Sequence, residues 1–189
     1  MFDRFARLFT SFVLVFNLKL TIRMLLEARV ISREISELMW KDGLTLSTAE
    51  SCTAGNLAAA ITAIPGSSHY YKGGVVAYAN QVKENLLRVN TQTIEVYGVV
   101  SEETVCEMVK GAMETLNTDY AMATSGIAGP GGGTPETPVG TIWVAVGSRN
   151  KIVSMKLDGD DGRDQNIAKA TCSALHLMRD LLKEEQNQE

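Results

Sequence analysis

The stretch Thr48-Ala49-Glu50-Ser51-Cys52-Thr53-Ala54-Gly55-Asn56-Leu57 joins a β-like run to a helix-like run through a cluster of small nucleophilic side chains. A helix begins with unpaired backbone N–H groups and a partial positive charge. Such a junction can therefore hold a catalytic hydroxyl, a developing oxyanion or a phosphate. Ser51 reads either as the cap of the following helix or as a nucleophile. Cys52 is intrinsically the better nucleophile, or else a small buried hydrophobe.

Outward from this junction, helices and strands alternate. Leu25, Leu26, Val30, Ile31, Ile35, Leu38 and Met39 recur at helical spacing up to Lys41, where Asp42-Gly43 supplies a stop. Leu44 to Thr48 reads as a strand, Thr53 to Ile64 as an alanine-rich helix, and Pro65-Gly66-Ser67-Ser68 as a loop. Gly73 to Tyr78 is the second strand and Asn80 to Leu87 a short helix, with Lys83 and Glu84 in its first turn. Ser101, followed by Glu102 and Glu103, caps a helix that runs to about Leu116. Tyr120 to Thr124 is a third strand.

Ser125 to Pro138 is then a loop with five glycines and three prolines. Val139 to Gly147 and Lys151 to Leu157 form an antiparallel hairpin, and Arg163 to Lys183 is the closing helix. The alternation predicts an α/β fold: a three-layer α/β/α sandwich with a mixed, mostly parallel sheet.

The 189 residues suit one domain with a substantial core. A formal charge of −4, without a basic stripe interleaved with aromatics, argues against nucleic acid as a partner. Three cysteines far apart, Cys52, Cys106 and Cys172, argue against a disulfide framework and point to a reducing, cytoplasmic setting. Two histidines, His69 and His176, without an HExxH helix speak against a protein-built zinc site.

Residues 1–23 form a separate segment before a plausible internal start at Met24. Its apolar run from Phe12 to Phe16 is far short of the ~20 residues that a membrane span requires. It reads as an arm or over-long start, with an amphipathic partner-binding helix or a targeting signal as the alternatives. The domain proper is expected over residues 24–189.

Neither histidine has a motif that would make it a base for Ser51, which directs attention to lysine. Lys83 follows the second strand at the sheet edge where Ser51 follows the first, so the two can meet. A desolvated lysine can act as a general base, and Ser–Lys pairs are a known nucleophile–base arrangement. The bland alternative is a surface lysine. Tyr78 is either a core aromatic or a neighbour of that pair. The glycine-rich loop lacks a P-loop lysine and a dinucleotide fingerprint, so a flexible lid is its simplest reading. Ser125 at the strand terminus offers a hydroxyl to an anion site, and Arg163 can grip a phosphate bidentately.

Taken together, AESCTxG, VxxYxNxxK, VSEETV, SGIAGPGGGTPExPVGTxW and an Arg-led last helix resemble the CinA C-terminal domain family, over about Leu25 to Leu182. The resemblance implies a nicotinamide-nucleotide amidase of the PncC type. Such an enzyme hydrolyses nicotinamide mononucleotide to nicotinic acid mononucleotide and ammonia, in pyridine-nucleotide recycling. It implies Ser51 as nucleophile and Lys83 as base with Tyr78 alongside. Ser125, Arg163, Thr53 and Gly126 are then substrate-binding residues. No cofactor or metal is implied, the partner is a small nucleotide, and a homo-oligomer is expected. A non-catalytic binding or competence-associated module is the alternative.

Three positions depart from the family pattern. Ala54 stands where a second glycine is usual. Asp160-Asp161-Gly162-Arg163 is slightly longer than the common Gly-Asp-Arg, and Ala168 stands where a second arginine is frequent. With about 24 residues before the matched region, the family's nucleotide-pyrophosphatase domain is not expected in this sequence.

Overall fold

Leu46–Glu50 (β1) is buried at every position, because it lies inside a five-stranded sheet with helices on both faces. The computed structural model describes the backbone of residues 2–187 and the side chains of residues 20 and 22–187. The other strands are Tyr71–Val76 (β2), Tyr120–Gly126 (β3), Ile142–Ser148 (β4) and Ile152–Leu157 (β5), in the order β2-β1-β3-β4-β5. β1 pairs in parallel with β2 and β3, whereas β4 is antiparallel to both of its neighbours. Four of the five strands thus run one way, and the mixed, mostly parallel sheet expected from the sequence is present.

Successive side chains of a strand point to opposite faces, and here the two faces differ in size. Leu46, Tyr120, Met122, Ile142, Val144 and Val146 face one core, which they share with helices Phe2–Lys41 (α1), Asn56–Thr62 (α2) and Arg163–Gln186 (α6). Ala49, Ala121, Ala123 and Ala145 face the other. Small side chains let Glu102–Leu116 (α5) lie close to the sheet, beside Asn80–Leu87 (α3). Gly111 allows that approach: a Cβ there would stand 1.7 Å from the Leu87 carbonyl oxygen. Lys83 lies one turn before Leu87 on the same helix.

Several boundaries differ from the sequence reading, each for a local reason. β1 runs Leu46–Glu50 rather than Leu44–Thr48: Asp119 takes the Thr45 N–H and hydroxyl at 2.9 and 2.6 Å, and pairing continues through Glu50, which faces Val76 and Thr124. α2 begins at Asn56 rather than Thr53, because Ala54 (φ 51°) and Gly55 (φ 98°) turn the chain through the left-handed region. β4 starts at Ile142, so the glycine-rich loop is longer than expected.

Thr91–Tyr97 (α4) was not expected; β-branched Thr91, Thr93, Ile94 and Val96 mask a helix that Asn90 caps by accepting the Gln92 N–H at 2.9 Å. The Ser101 cap is present, accepting from Thr104 N at 3.2 Å. α1 starts well before Leu25. The reading of residues 1–23 falls largely on side chains outside the described residues. No helix among the described residues is long and apolar enough to cross a membrane.

Candidate active site

Ser51 is the first residue past β1, and its N–H still donates to Thr124 O at 3.0 Å, so the sheet fixes its backbone. Behind it stands Glu50, only 1% exposed. The Glu50 carboxylate accepts from Thr53 Oγ1 (2.7 Å), Gly55 N (2.9 Å), Leu57 N (3.0 Å) and Ala58 N (2.9 Å). These backbone donors are the orphan groups at the start of α2, so an internal anion caps that helix. A phosphate cradle at α2, one of the readings of the sequence, is therefore excluded.

The turn leaves two donors free. Among the described residues the Thr53 N–H donates to no protein acceptor, and the Cys52 N–H meets only its own sulfur. Both follow Ser51 directly, where an oxyanion formed on its acyl partner would need them.

Lys83 is 1% exposed, and its Nζ lies 3.0 Å from Ser51 Oγ and 2.7 Å from Ala77 O. Burial holds its pKa below the ordinary lysine value, opposed only by the Cys52 sulfur. As an ammonium it donates to Ser51; as a neutral amine it accepts the Ser51 proton across the same contact. Ala77 N in turn donates to Glu50 O at 2.7 Å, which closes a ring from Ser51 through Glu50, Ala77 and Lys83 back to Ser51. Cys52 is 5% exposed, and desolvation pushes its thiol up to about 12. A thiol raised this far is protonated at neutral pH and a poor nucleophile.

Ser51, Cys52 and Lys83 line a cleft of about 340 Å³ together with Tyr78, Asn80, Val99, Val100, Ser125, Gly126 and Arg163. Ser125 is 1% exposed and donates to Val99 O at 2.6 Å. Gly126 ends β3 where a Cβ would stand 2.6 Å from the Ile142 Cα, so this edge of the cleft tolerates no side chain. Arg163, the first residue of α6, donates through Nη1 to Gly129 O at 2.7 Å, which joins it to the glycine-rich loop. The amides of Ala128, Gly129, Gly131 and Gly132 in that loop have no protein acceptor among the described residues.

Two expected site residues stand differently. The Thr53 hydroxyl is fully buried between Glu50 Oε2 and Thr124 Oγ1, each 2.7 Å away, and is absent from the cleft wall. Thr53 therefore supports the turn, with its hydroxyl turned away from the cleft. Tyr78 is 63% exposed at the cleft rim, and its hydroxyl has no hydrogen bond among the described residues. Lys83 reaches Ser51 directly, with no side chain between them.

Two contributors were missed. Glu50 had a legible signal, an acid just ahead of a helix start. Asn166 had none: its Nδ2 donates to Ala128 O (3.0 Å) and Asp160 Oδ1 (2.9 Å) while its Oδ1 accepts from Asp161 N (3.0 Å). The Gly162 N–H and then Asn166 hold the Asp160 carboxyl below its usual range. The lengthened Asp160-Asp161 segment thus serves to tie the loop to α6. No cluster of three or more His, Cys, Asp or Glu among the described residues is placed to hold a metal ion.

A three-layer α/β sandwich with a buried Ser–Lys pair at the ends of its parallel strands is thereby defined. Residues 28–182 match the family model for the CinA C-terminal domain, and the chain belongs to that family. It is 42% identical over 158 residues to a CinA-like protein of Cytophaga hutchinsonii, covering 84% of this chain and 38% of that one. A putative competence-damage inducible protein of Halothermothrix orenii is 46% identical over 151 residues, covering 79% and 37%. The chain thus spans less than two-fifths of the length of these curated relatives. The crystal structure of the competence/damage inducible protein CihA from Agrobacterium tumefaciens superposes with a TM-score of 0.80 at 38% identity, covering 83% of this chain and 96% of that one.

Proposed function

We propose that this chain is a nicotinamide-nucleotide amidase, hydrolysing nicotinamide mononucleotide to nicotinic acid mononucleotide and ammonia. The observation that carries the reading is the desolvated Lys83 amine 3.0 Å from the Ser51 hydroxyl in an open cleft. A buried lysine without a carboxylate partner is costly to keep, and its use as a base gives that cost a function. The substrate is taken from the family that the motifs resemble.

Neutral Lys83 takes the Ser51 proton while Oγ bonds to the carboxamide carbon. The oxygen gains charge beside the N–H groups of Cys52 and Thr53. Lys83 then gives the proton to the amide nitrogen, the C–N bond breaks and ammonia leaves an acyl-Ser51. Water, deprotonated by the same amine, adds to the acyl carbon; Ser51 leaves and recovers its proton. Arg163 has donors beyond the one spent on Gly129 O, and with the free loop amides it takes the phosphate. No cofactor enters this sequence of steps.

The test is ammonia release from nicotinamide mononucleotide by the purified chain and by Ser51→Ala. Release by the former alone is expected. Equal release overturns Ser51 as the nucleophile; none from either overturns the amidase reading and leaves a non-catalytic binding module.

A further inference from the structure

Ser125 was expected to serve an anion, but its hydrogen bond argues for a different partner. A hydroxyl carries one proton and two lone pairs. The proton of Ser125 points at Val99 O, 2.6 Å away, and that carbonyl accepts from no other group among the described residues. The side chain is 1% exposed yet lines the cleft, so what it presents there is lone pairs. A phosphate or carboxylate oxygen would meet them unfavourably, unless it took the proton and left Val99 O unpaired at a cost.

Its position relative to the nucleophile is set by register. Glu50 pairs with Thr124 in the parallel β1–β3 ladder, so Ser51, just past β1, and Ser125, the next residue of β3, come side by side. Adjacent strands lie ~4.8 Å apart. A carboxamide whose carbon sits at Ser51 Oγ, with its oxygen toward the Cys52 and Thr53 amides, can turn its NH2 group toward Ser125.

We infer that Ser125 is the specificity residue for a primary carboxamide, accepting a hydrogen bond from the NH2 group that departs as ammonia, and that it is not a ligand of the phosphate. The inference rests on the amidase reading and deepens it. It also gives the product a reason to leave: the carboxylate formed has no N–H to donate and sets an anionic oxygen against the Ser125 lone pairs.

The test uses the full chain with three substrates: nicotinamide mononucleotide, the methyl ester of nicotinic acid mononucleotide, which lacks the N–H donors, and nicotinamide riboside, which lacks the phosphate. Ser125→Ala should lower kcat/KM about tenfold for the amide and less than about twofold for the ester, the scale of one lost hydrogen bond. The preference for nucleotide over riboside should not change. Ser125→Cys, nearly isosteric and a weak acceptor, should also lower the amide-to-ester ratio, which keeps the test decisive if the alanine variant does not fold. Equal losses on amide and ester, or a loss confined to the nucleotide-over-riboside preference, would overturn the inference. Wild-type protein inert toward all three substrates would overturn the amidase reading itself, a separate and visible outcome.

Discussion

Replacing Glu50 by glutamine is the most direct probe of how the Ser51 turn is built. The side chain keeps its size, so packing is not at issue in a residue that is 1% exposed. With its oxygen at the Oε2 position, glutamine retains the bonds from Thr53 Oγ1, Gly55 N and Leu57 N. Its NH2 group then faces the Ala58 N–H, which loses an acceptor now 2.9 Å away. One charge-assisted bond is worth about 1.5–3 kcal/mol, and the charge at the helix start adds about 0.3–1 kcal/mol.

The sum is about 2–4 kcal/mol. For a domain of this size each kcal/mol lowers Tm by about 2–4 °C, so a fall of roughly 5–15 °C is expected in thermal unfolding followed by circular dichroism. Turnover should fall as well at a temperature where both proteins are folded, because the Cys52 and Thr53 amides belong to the same turn. A Tm within about 2 °C of the wild type would show that the carboxylate does not cap α2, and the account of the turn would fail.

Lys83→Met should bring ammonia release down to the Ser51→Ala level and change how stability depends on pH. A lysine held below its ordinary pKa binds fewer protons folded than unfolded, so wild-type stability should climb as pH rises toward the unfolded value of about 10.4. Urea unfolding at several pH values between 7 and 10 should show a smaller climb in the variant; parallel curves would contradict the burial of this amine. Activity itself should rise with pH through the lowered Lys83 pKa. Ala54→Gly should raise stability by about 1 kcal/mol in urea titrations, since Ala54 sits at φ 51° where a Cβ is disfavoured; an unchanged midpoint would contradict that strain. Iodoacetamide at pH 8 should leave Cys52 unmodified by mass spectrometry and the activity intact, because its thiol is raised to about 12 and is 5% exposed.

Periodicity made most of the fold legible. Continuous apolar runs in β3 and β4 and the Ser101 cap of α5 mark their elements without help from distant residues. The helix at Thr91–Tyr97 was hidden because its stability comes from an Asn90 cap and contacts to α5, while its β-branched residues suggest otherwise. For the site, chain order was enough to bring Ser51 and Lys83 to one sheet edge. It could not separate Thr53 from Ser51, since two neighbouring hydroxyls in a turn differ only in which way each points. Nor could it show that Tyr78 is at the rim, or that Asn166 ties the loop to α6: both depend on contacts between segments remote in sequence.

The internal capping of α2 by Glu50 has a consequence for how this site can change over time. An uncapped helix start beside the nucleophile would bind anions, and whatever altered the grip on a substrate's charge would then disturb the reacting serine as well. With that start neutralised from within, the free donors for an anion lie on the glycine-rich loop and α6, from Ala128 to Arg163, while the pair proposed to break the bond is Ser51 with Lys83. Selection can redraw the loop to admit a different charged molecule and leave the Ser–Lys pair as it stands. On the proposed reading, recognition and reactivity are inherited on separate stretches of the chain.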